Sequence, residues 1–409
     1  MIELISELLY RLFYPLLIAL HKHAGYSDEA IKLKKGQVSF NKDNKKVIMF
    51  HGVSVGEINA IEKLIKKSKE EFSDCKIVVT TGTNTGQELA HKKFDDIVDL
   101  VTFFPFDTPS CVKRFLNNVK PDIIMIAETE IWPNIGIECK KRGIKLYIIN
   151  GRISDRTYKS YKALKFFFRP LLNNYSGIFT QSSEDLDKFL SLGTNPETTK
   201  RMNNLKFDIT APHVDFEFKK CGRVLLAAST HSGEDEIVLS VYEKLKSQFD
   251  DLKLIIAPRH LTRKDEVETL VGESGYTYGF RSDGSDNLAD TDIMILDTMG
   301  ELGKIFYYCD VAFIGGSFNK TGGHNPLESI IFGKPVISGP SVYNFKDIYA
   351  IIQNAGAGFI VKTKDDFYNK CVLLLSNSQF YNQTSKACED VFKSQQGALA
   401  YVIDVLKTD

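Results

Sequence analysis

Ile314-Gly-Gly-Ser-Phe-Asn-Lys-Thr-Gly-Gly-His-Asn-Pro-Leu-Glu-Ser-Ile-Ile-Phe-Gly-Lys-Pro-Val-Ile-Ser-Gly-Pro340 is the stretch whose reading decides the fold. The apolar run Val311 to Ile314 ends in glycines, a helix is expected from Asn325-Pro326 with Glu328 in its first turn, and a second short strand follows at Pro335–Ser338. Asn at the N-cap and Pro at the first helical position set that helix start. Its free N–H groups and positive dipole end predict a seat for a phosphate, with Glu328 placed to accept hydrogen bonds from a ribose. A glycine-rich strand-to-helix turn by itself serves packing and dinucleotides equally well. The Gly322–Glu328 string is narrower.

Outward from this stretch, strand-like apolar runs alternate with helical patterns, the mark of parallel sheets with crossover helices. In the first half the expected strands lie near Lys46–Phe50, Lys76–Thr80, Asp99–Phe103, Ile123–Ala127, Lys145–Ile149 and Gly177–Thr180. In the second they lie near Arg223–Ala228, Leu252–Ala257, Ile293–Leu296, Val311–Ile314, Pro335–Ile337 and Gly358–Val361. With 409 residues, 43% of them hydrophobic, the chain exceeds what one core usually serves. The expected fold is α/β, with two Rossmann-like domains across a cleft. The expected divisions are an N-terminal helix at 1–25, a first domain at 26–206, a linker at 207–222, a second domain at 223–386, and a C-terminal helix at 387–409 that crosses back to the first domain.

Fifty-two basic and 52 acidic residues cancel, which removes any global field for nucleic acid. Seven scattered cysteines (Cys75, Cys111, Cys139, Cys221, Cys309, Cys371, Cys388) show neither metal-ligand nor redox spacing and read as buried, reduced thiols. At the N-terminus Glu3, Glu7 and Arg11 line one stripe of an otherwise apolar helix. The uninterrupted apolar run, Leu12 to Leu20, contains Pro15 and is too short for a bilayer core of about 30 Å. An amphipathic helix lying in a membrane interface is the functional reading, and a helix packed on the protein's own core is the alternative.

The chemistry-bearing residues cluster just after the strands, where α/β sheets bind their ligands. His51-Gly-Val-Ser-Val-Gly-Glu57 brings Glu57 into a first helical turn behind small residues, Ser54 and Gly56 among them, and makes it a candidate general base. The run Thr80–Gly86 offers hydroxyls and backbone N–H groups, with Thr83, Thr85 and Gly86 as candidate substrate contacts and a helix expected from Gln87. Glu128 and Glu130 sit at alternate positions beyond an apolar strand and point the same way. In the second half Ser229 and His231, Pro258-Arg259, and Met299-Gly300-Glu301 each follow a strand, Arg259 offering a fork for phosphate. Lys206, in Asn204–Asp208, is placed at the domain junction. His231, His260 and His324 have no metal-ligand spacing, so no metal is expected.

Taken together these strings resemble the Kdo transferase family of lipopolysaccharide synthesis, which moves the acid sugar Kdo from its cytidine monophosphate ester to a lipid A precursor. The resemblance runs from about residue 8 to the last helix and rests on His51–Glu57, Thr80–Gly86, Phe104–Asp107, Glu128–Asn134, Asn204–Asp208, Ser229–Glu234, Pro258-Arg259, Met299–Glu301 and Gly322–Glu328. It implies a GT-B transferase on the cytoplasmic face of the bacterial inner membrane, without a cofactor. It further implies Glu57 as base, Glu128 and Lys206 supporting the transition state, and a donor (CMP) site at Pro258, Arg259, Met299, Gly300, Glu301, Asn325, Pro326, Leu327 and Glu328. A single phosphate can be offset by protein cations without metal. A single base predicts inversion at the sugar. The competing readings are a sugar-nucleotide epimerase of the same fold and a catalytically silent membrane-bound scaffold.

Overall fold

A computed structural model of the chain describes residues 2–214, 222–284 and 290–409, with side chains from residue 12 onward. Two compact units form: one of the residues up to Asp208 together with Gln396–Asp409, the other of Ile209–Gln395. In the first, strands β1 (Val47–Gly52), β2 (Lys76–Thr81), β3 (Leu100–Phe103), β4 (Ile123–Ala127), β5 (Lys145–Gly151), β6 (Gly177–Thr180) and β7 (Thr199–Arg201) form one sheet in the order 3-2-1-4-5-6-7. In the second, β8 (Val224–Thr230), β9 (Lys253–Pro258), β10 (Tyr278–Phe280), β11 (Ile293–Ile295), β12 (Val311–Ile314), β13 (Val336–Ser338) and β14 (Gly358–Ile360) take the order 10-11-9-8-12-13-14. The strand pairings are parallel throughout the described residues.

Parallel strands are covered on both faces, so they read as continuous apolar runs. β1, with sequence Val-Ile-Met-Phe-His-Gly, and β4, with Ile-Ile-Met-Ile-Ala, are buried along their whole length. Two edge strands, β7 and β10, escape this signal, because Thr-Lys-Arg and Tyr-Gly-Phe carry no apolar run and are partly exposed.

On the first unit the leading helices are α1 (Ile2–His23), α2 (Asp28–Lys34), α3 (Val55–Glu71), α4 (Asn84–Phe94), α5 (Pro109–Val119), α6 (Pro133–Arg142), α7 (Asp155–Ala163) and α8 (Lys165–Leu172). α4 starts at Asn84 rather than Gln87, because the Thr83 hydroxyl caps it by accepting from Gly86 N–H at 3.1 Å. Glu3, Glu7 and Arg11 lie outside the described side chains. Beyond them α1 exposes Leu12, Phe13, Leu16 and Leu20. Among the described residues no helix is long and apolar enough to cross a membrane.

Three sequence boundaries move. The expected linker from residue 207 begins later, because Phe207 is fully buried and Asp208 belongs to the first unit; residues 215–221 of that linker, Cys221 included, lie outside the described residues. The single C-terminal helix from 387 is two, Ser378–Gln395 and Ala398–Thr408, separated by Gly397 at φ 101°. The Asp208 carboxylate explains the break: it accepts from Gly397 N–H and Leu399 N–H at 2.7 and 2.5 Å and so restarts the helix. That last helix buries Ala398, Val402, Ile403 and Leu406 in the core cluster that also holds Ile58, Leu64 and Ile65. The helix expected from Asn325 forms only at Leu327–Ile330 and gives way to a turn at Gly333, φ 69°.

Candidate functional site

Strand order reverses beside β1 and β4 in the first unit and beside β8 and β12 in the second, and the crevice outside such carboxyl ends is where α/β sheets hold ligands. Two of the seven non-glycine residues at positive φ among the described residues lie there. Glu128, directly after β4, has φ 59°, and Ser229, at the bulge within β8, has φ 56°. Non-glycine residues held in the left-handed region cost about 1–3 kcal/mol each and persist where the surroundings over-determine them.

Glu57 occupies the first turn of α3, whose N-cap is Ser54. Its carboxylate accepts from Val53 N–H at 2.6 Å and from the Ser54 hydroxyl at 3.0 Å. Burial pushes its pKa up to about 7, aided by the negative charges of Glu128 and Glu130 and opposed by those two hydrogen bonds. Burial, then Glu128, raises Glu130 as well. Glu128 is paired with Arg152, Nε to Oε2 3.2 Å. Of the Thr-rich loop, Thr83 is committed to structure: its hydroxyl donates to Val53 C=O at 3.1 Å while capping α4. Gly86 is buried against it and Thr85 is exposed. Lys206 lies in a 3-10 turn, Leu205–Phe207, fixed by Asn204, whose side-chain oxygen accepts from Lys206 N–H at 3.0 Å.

In the second unit a cavity of about 240 Å³ is lined by Ser229, Arg259, Leu302, His324, Asn325 and Glu328, among others. Arg259 is exposed, its own N–H anchored on Thr230 C=O at 2.9 Å. Burial raises the Glu328 pKa, while the Asn325 amide and the Arg259 charge pull it back. Asn325 Oδ1 accepts from Leu327 N–H at 3.1 Å. The helix that follows is four residues long, so the dipole contribution expected of it is correspondingly small. His231 and His324 share an Nε2 to Nε2 hydrogen bond of 2.8 Å with stacked rings. Burial, then the nearby His231 and Arg259, lowers His324 to about 4 and keeps this pair neutral at ordinary pH. Gly300 has φ 82° and Met299 is 82% exposed, while the Glu301 carboxylate is forked by Arg281 at 2.9 and 3.2 Å. No group of three or more His, Cys, Asp or Glu among the described residues is arranged to hold a metal ion.

Several residues that shape the site receive no role of their own from sequence reasoning. Arg152 follows β5 directly, so the strand-end rule that found Glu128 also reaches its partner. Asp107 caps α6 by accepting from Asn134 and Ile135 N–H, both at 3.0 Å. Glu234 is 1% exposed and accepts four backbone N–H groups: Gly316 at 2.6 Å, Ser317 at 2.8 Å, Phe318 at 2.9 Å and His231 at 3.0 Å. It shapes the glycine loop after β12 from within.

A family model described as 3-deoxy-D-manno-octulosonic-acid transferase (kdotransferase) matches residues 28–209. The 3-deoxy-D-manno-octulosonic acid transferase of Haemophilus influenzae is 31% identical over 369 residues, 88% of this chain and 86% of that protein. A bifunctional glycosyltransferase/methyltransferase of Fusobacterium nucleatum is 36% identical over 336 residues; this chain spans about half of that relative, 52% of its length. Among solved structures, the UDP-GlcNAc 2-epimerase of Neisseria meningitidis bound to UDP-GlcNAc superposes with a TM-score of 0.56 at 14% identity, over 89% of this chain and 100% of its own. At that identity the likeness concerns the two-domain GT-B fold alone.

Proposed function

This chain belongs to the 3-deoxy-D-manno-octulosonic acid (Kdo) transferase family of glycosyltransferases, and on that premise we propose that it moves Kdo from CMP-Kdo to a lipid A precursor with inversion. The observation that carries the mechanism is Glu57, a helix-start carboxylate beyond the carboxyl end of β1 held by Val53 N–H and the Ser54 hydroxyl, whose pKa burial pushes up to about 7. The acceptor hydroxyl attacks the anomeric carbon of Kdo, its proton passes to Glu57, and the bond from that carbon to the phosphate oxygen breaks with CMP leaving. Glu128 and Lys206 support the charge that develops. Arg259 offsets the phosphate, with the backbone from Pro258, Met299–Glu301 and Asn325–Leu327 around the nucleotide and Glu328 on its ribose. Ser229 and His231 complete the donor side; Ser54, Gly56, Thr85 and the loop built by Thr83 and Gly86 border the acceptor side.

The test is direct. With CMP-Kdo, a tetra-acyl lipid A precursor and excess EDTA, mass spectrometry of the lipid should show the increment of one or more Kdo units. Activity that appears only when magnesium is restored would mean that the donor seat has been misread. Epimerisation of a sugar nucleotide without transfer would favour the epimerase, and inertness in both assays the silent scaffold.

The same reading puts the enzyme on the cytoplasmic face of the inner membrane. Two surfaces of the first unit support it: the exposed Leu12, Phe13, Leu16 and Leu20 of α1, and the exposed Leu164 and Phe166 at the junction of α7 and α8, a stretch that also carries the exposed Arg156, Lys159, Lys162 and Lys165. Exposed apolar side chains in a segment that also carries exposed cations suit an anionic lipid surface. Deleting residues 1–20 should reduce co-sedimentation with anionic vesicles while activity on detergent-dispersed acceptor largely survives. A fall in melting temperature of many degrees would instead make α1 part of the core.

A further inference from the structure

Lys34, at the end of α2, is 6% exposed, a rare position for an ammonium group. No carboxylate pairs with it among the described residues. Its Nζ donates to Gly82 C=O at 2.9 Å and lies 4.9, 5.0 and 5.8 Å from the ring centroids of Tyr26, Phe103 and Phe106. Burial lowers its pKa to about 8, so the fold bears a cost to keep a cation at this carbonyl. The Tyr26 hydroxyl donates to the same oxygen, also at 2.9 Å. Two donors, one of them buried and charged, therefore converge on one peptide.

That peptide leads to Glu57. Gly82 N–H and Thr83 N–H both donate to Val53 C=O at 3.1 Å, and Val53 N–H donates to Glu57 Oε2 at 2.6 Å. The approach is close enough that a Cβ on Gly82 would meet Val53 Cγ1 at 2.6 Å. The Val53 C=O and N–H belong to the peptides on either side of its Cα, so what passes along is position: the carbonyl that is held fixes the residue whose N–H meets Glu57. We propose that Lys34 is a positioning residue for Glu57, acting through the Gly82 carbonyl and the placement of the Val53 backbone. The other titratable groups about the ammonium are Tyr26, His21, tilted against Tyr26 and edge-on to Phe106, and His51, which burial and the Lys34 charge keep neutral.

The proposal rests on Glu57 being the base for its meaning, but its test reads Glu57 directly. In full-length protein carrying carboxyl-¹³C glutamate, with the Glu57 signal assigned from Glu57→Gln, Lys34→Met should raise the Glu57 titration midpoint by at least about half a unit, since the Val53 bond that favours the ionised form is loosened. Turnover should fall several-fold with the donor KM unchanged, and Lys34→Arg should restore both. A folded Lys34→Met protein whose midpoint has not moved overturns the proposal even if turnover drops, because a general packing role predicts that. Should Lys34→Met fail to fold, Tyr26→Phe takes its place: a smaller rise of the midpoint is expected, and none overturns the idea. Near-normal turnover in Glu57→Gln would remove the base assignment alone, leaving the midpoint to decide the role of Lys34.

Discussion

Glu57→Gln should lower turnover by about 10²–10⁴-fold while leaving the affinity for the cytidine nucleotide nearly unchanged, the range expected when a general base is lost and binding groups are kept. Glutamine preserves the shape of the side chain and can keep one acceptor oxygen for Val53 N–H, so the first turn of α3 survives and the loss is chemical. The wild-type pH profile follows from the same carboxyl group. Only the ionised form takes the acceptor proton, and burial places its pKa at about 7. Below that value kcat/KM should fall about tenfold per pH unit, and above it the profile should level off. The acid limb should vanish in Glu57→Gln, whose residual rate has no such group to protonate. A variant that retains near-normal turnover, or an unchanged acid limb, would remove Glu57 from the mechanism.

Much of this site was legible because two rules act together. Buried parallel strands announce themselves as apolar runs, and their carboxyl ends carry the ligand groups. Glu57, Glu128, Ser229 and Arg259 each sit within a few residues of such an end. What stayed hidden depends on partners distant in sequence. Lys34 reads as one more lysine in a polar helix until β2 brings Gly82 to it, 48 residues on. The tie between Glu301 and Arg281 likewise arises only once the chain has folded. The short helix at Leu327 shows the opposite failure: Asn-Pro announced a start correctly to within two residues, yet Gly333 in the left-handed region ends it after one turn, and a start signal carries no information about length.

Glu234→Gln should destabilise the second unit by roughly 3–6 kcal/mol, from the loss of two charge-assisted hydrogen bonds at about 1.5–3 kcal/mol each. The carboxylate satisfies four N–H groups with two oxygens, Ser317 and Phe318 on Oε1, Gly316 and His231 on Oε2. An amide keeps one oxygen and turns an NH₂ group against the other two donors, so a buried acceptor becomes a buried clash of donors. The side chain is 1% exposed, so water cannot take over its role. The Gly315–Phe318 segment has little freedom to adapt, because Ser317 C=O lies 2.5 Å from where a Cβ on Gly339 would stand. Gly316 is also packed against His324, whose ring lines the cavity with Arg259, so donor affinity should fall together with stability. Urea unfolding followed by circular dichroism, with nucleotide binding by calorimetry on the same preparation, measures both. A loss of stability below about 1 kcal/mol would mean that the loop is held by its own turns and that the four bonds to Glu234 contribute little.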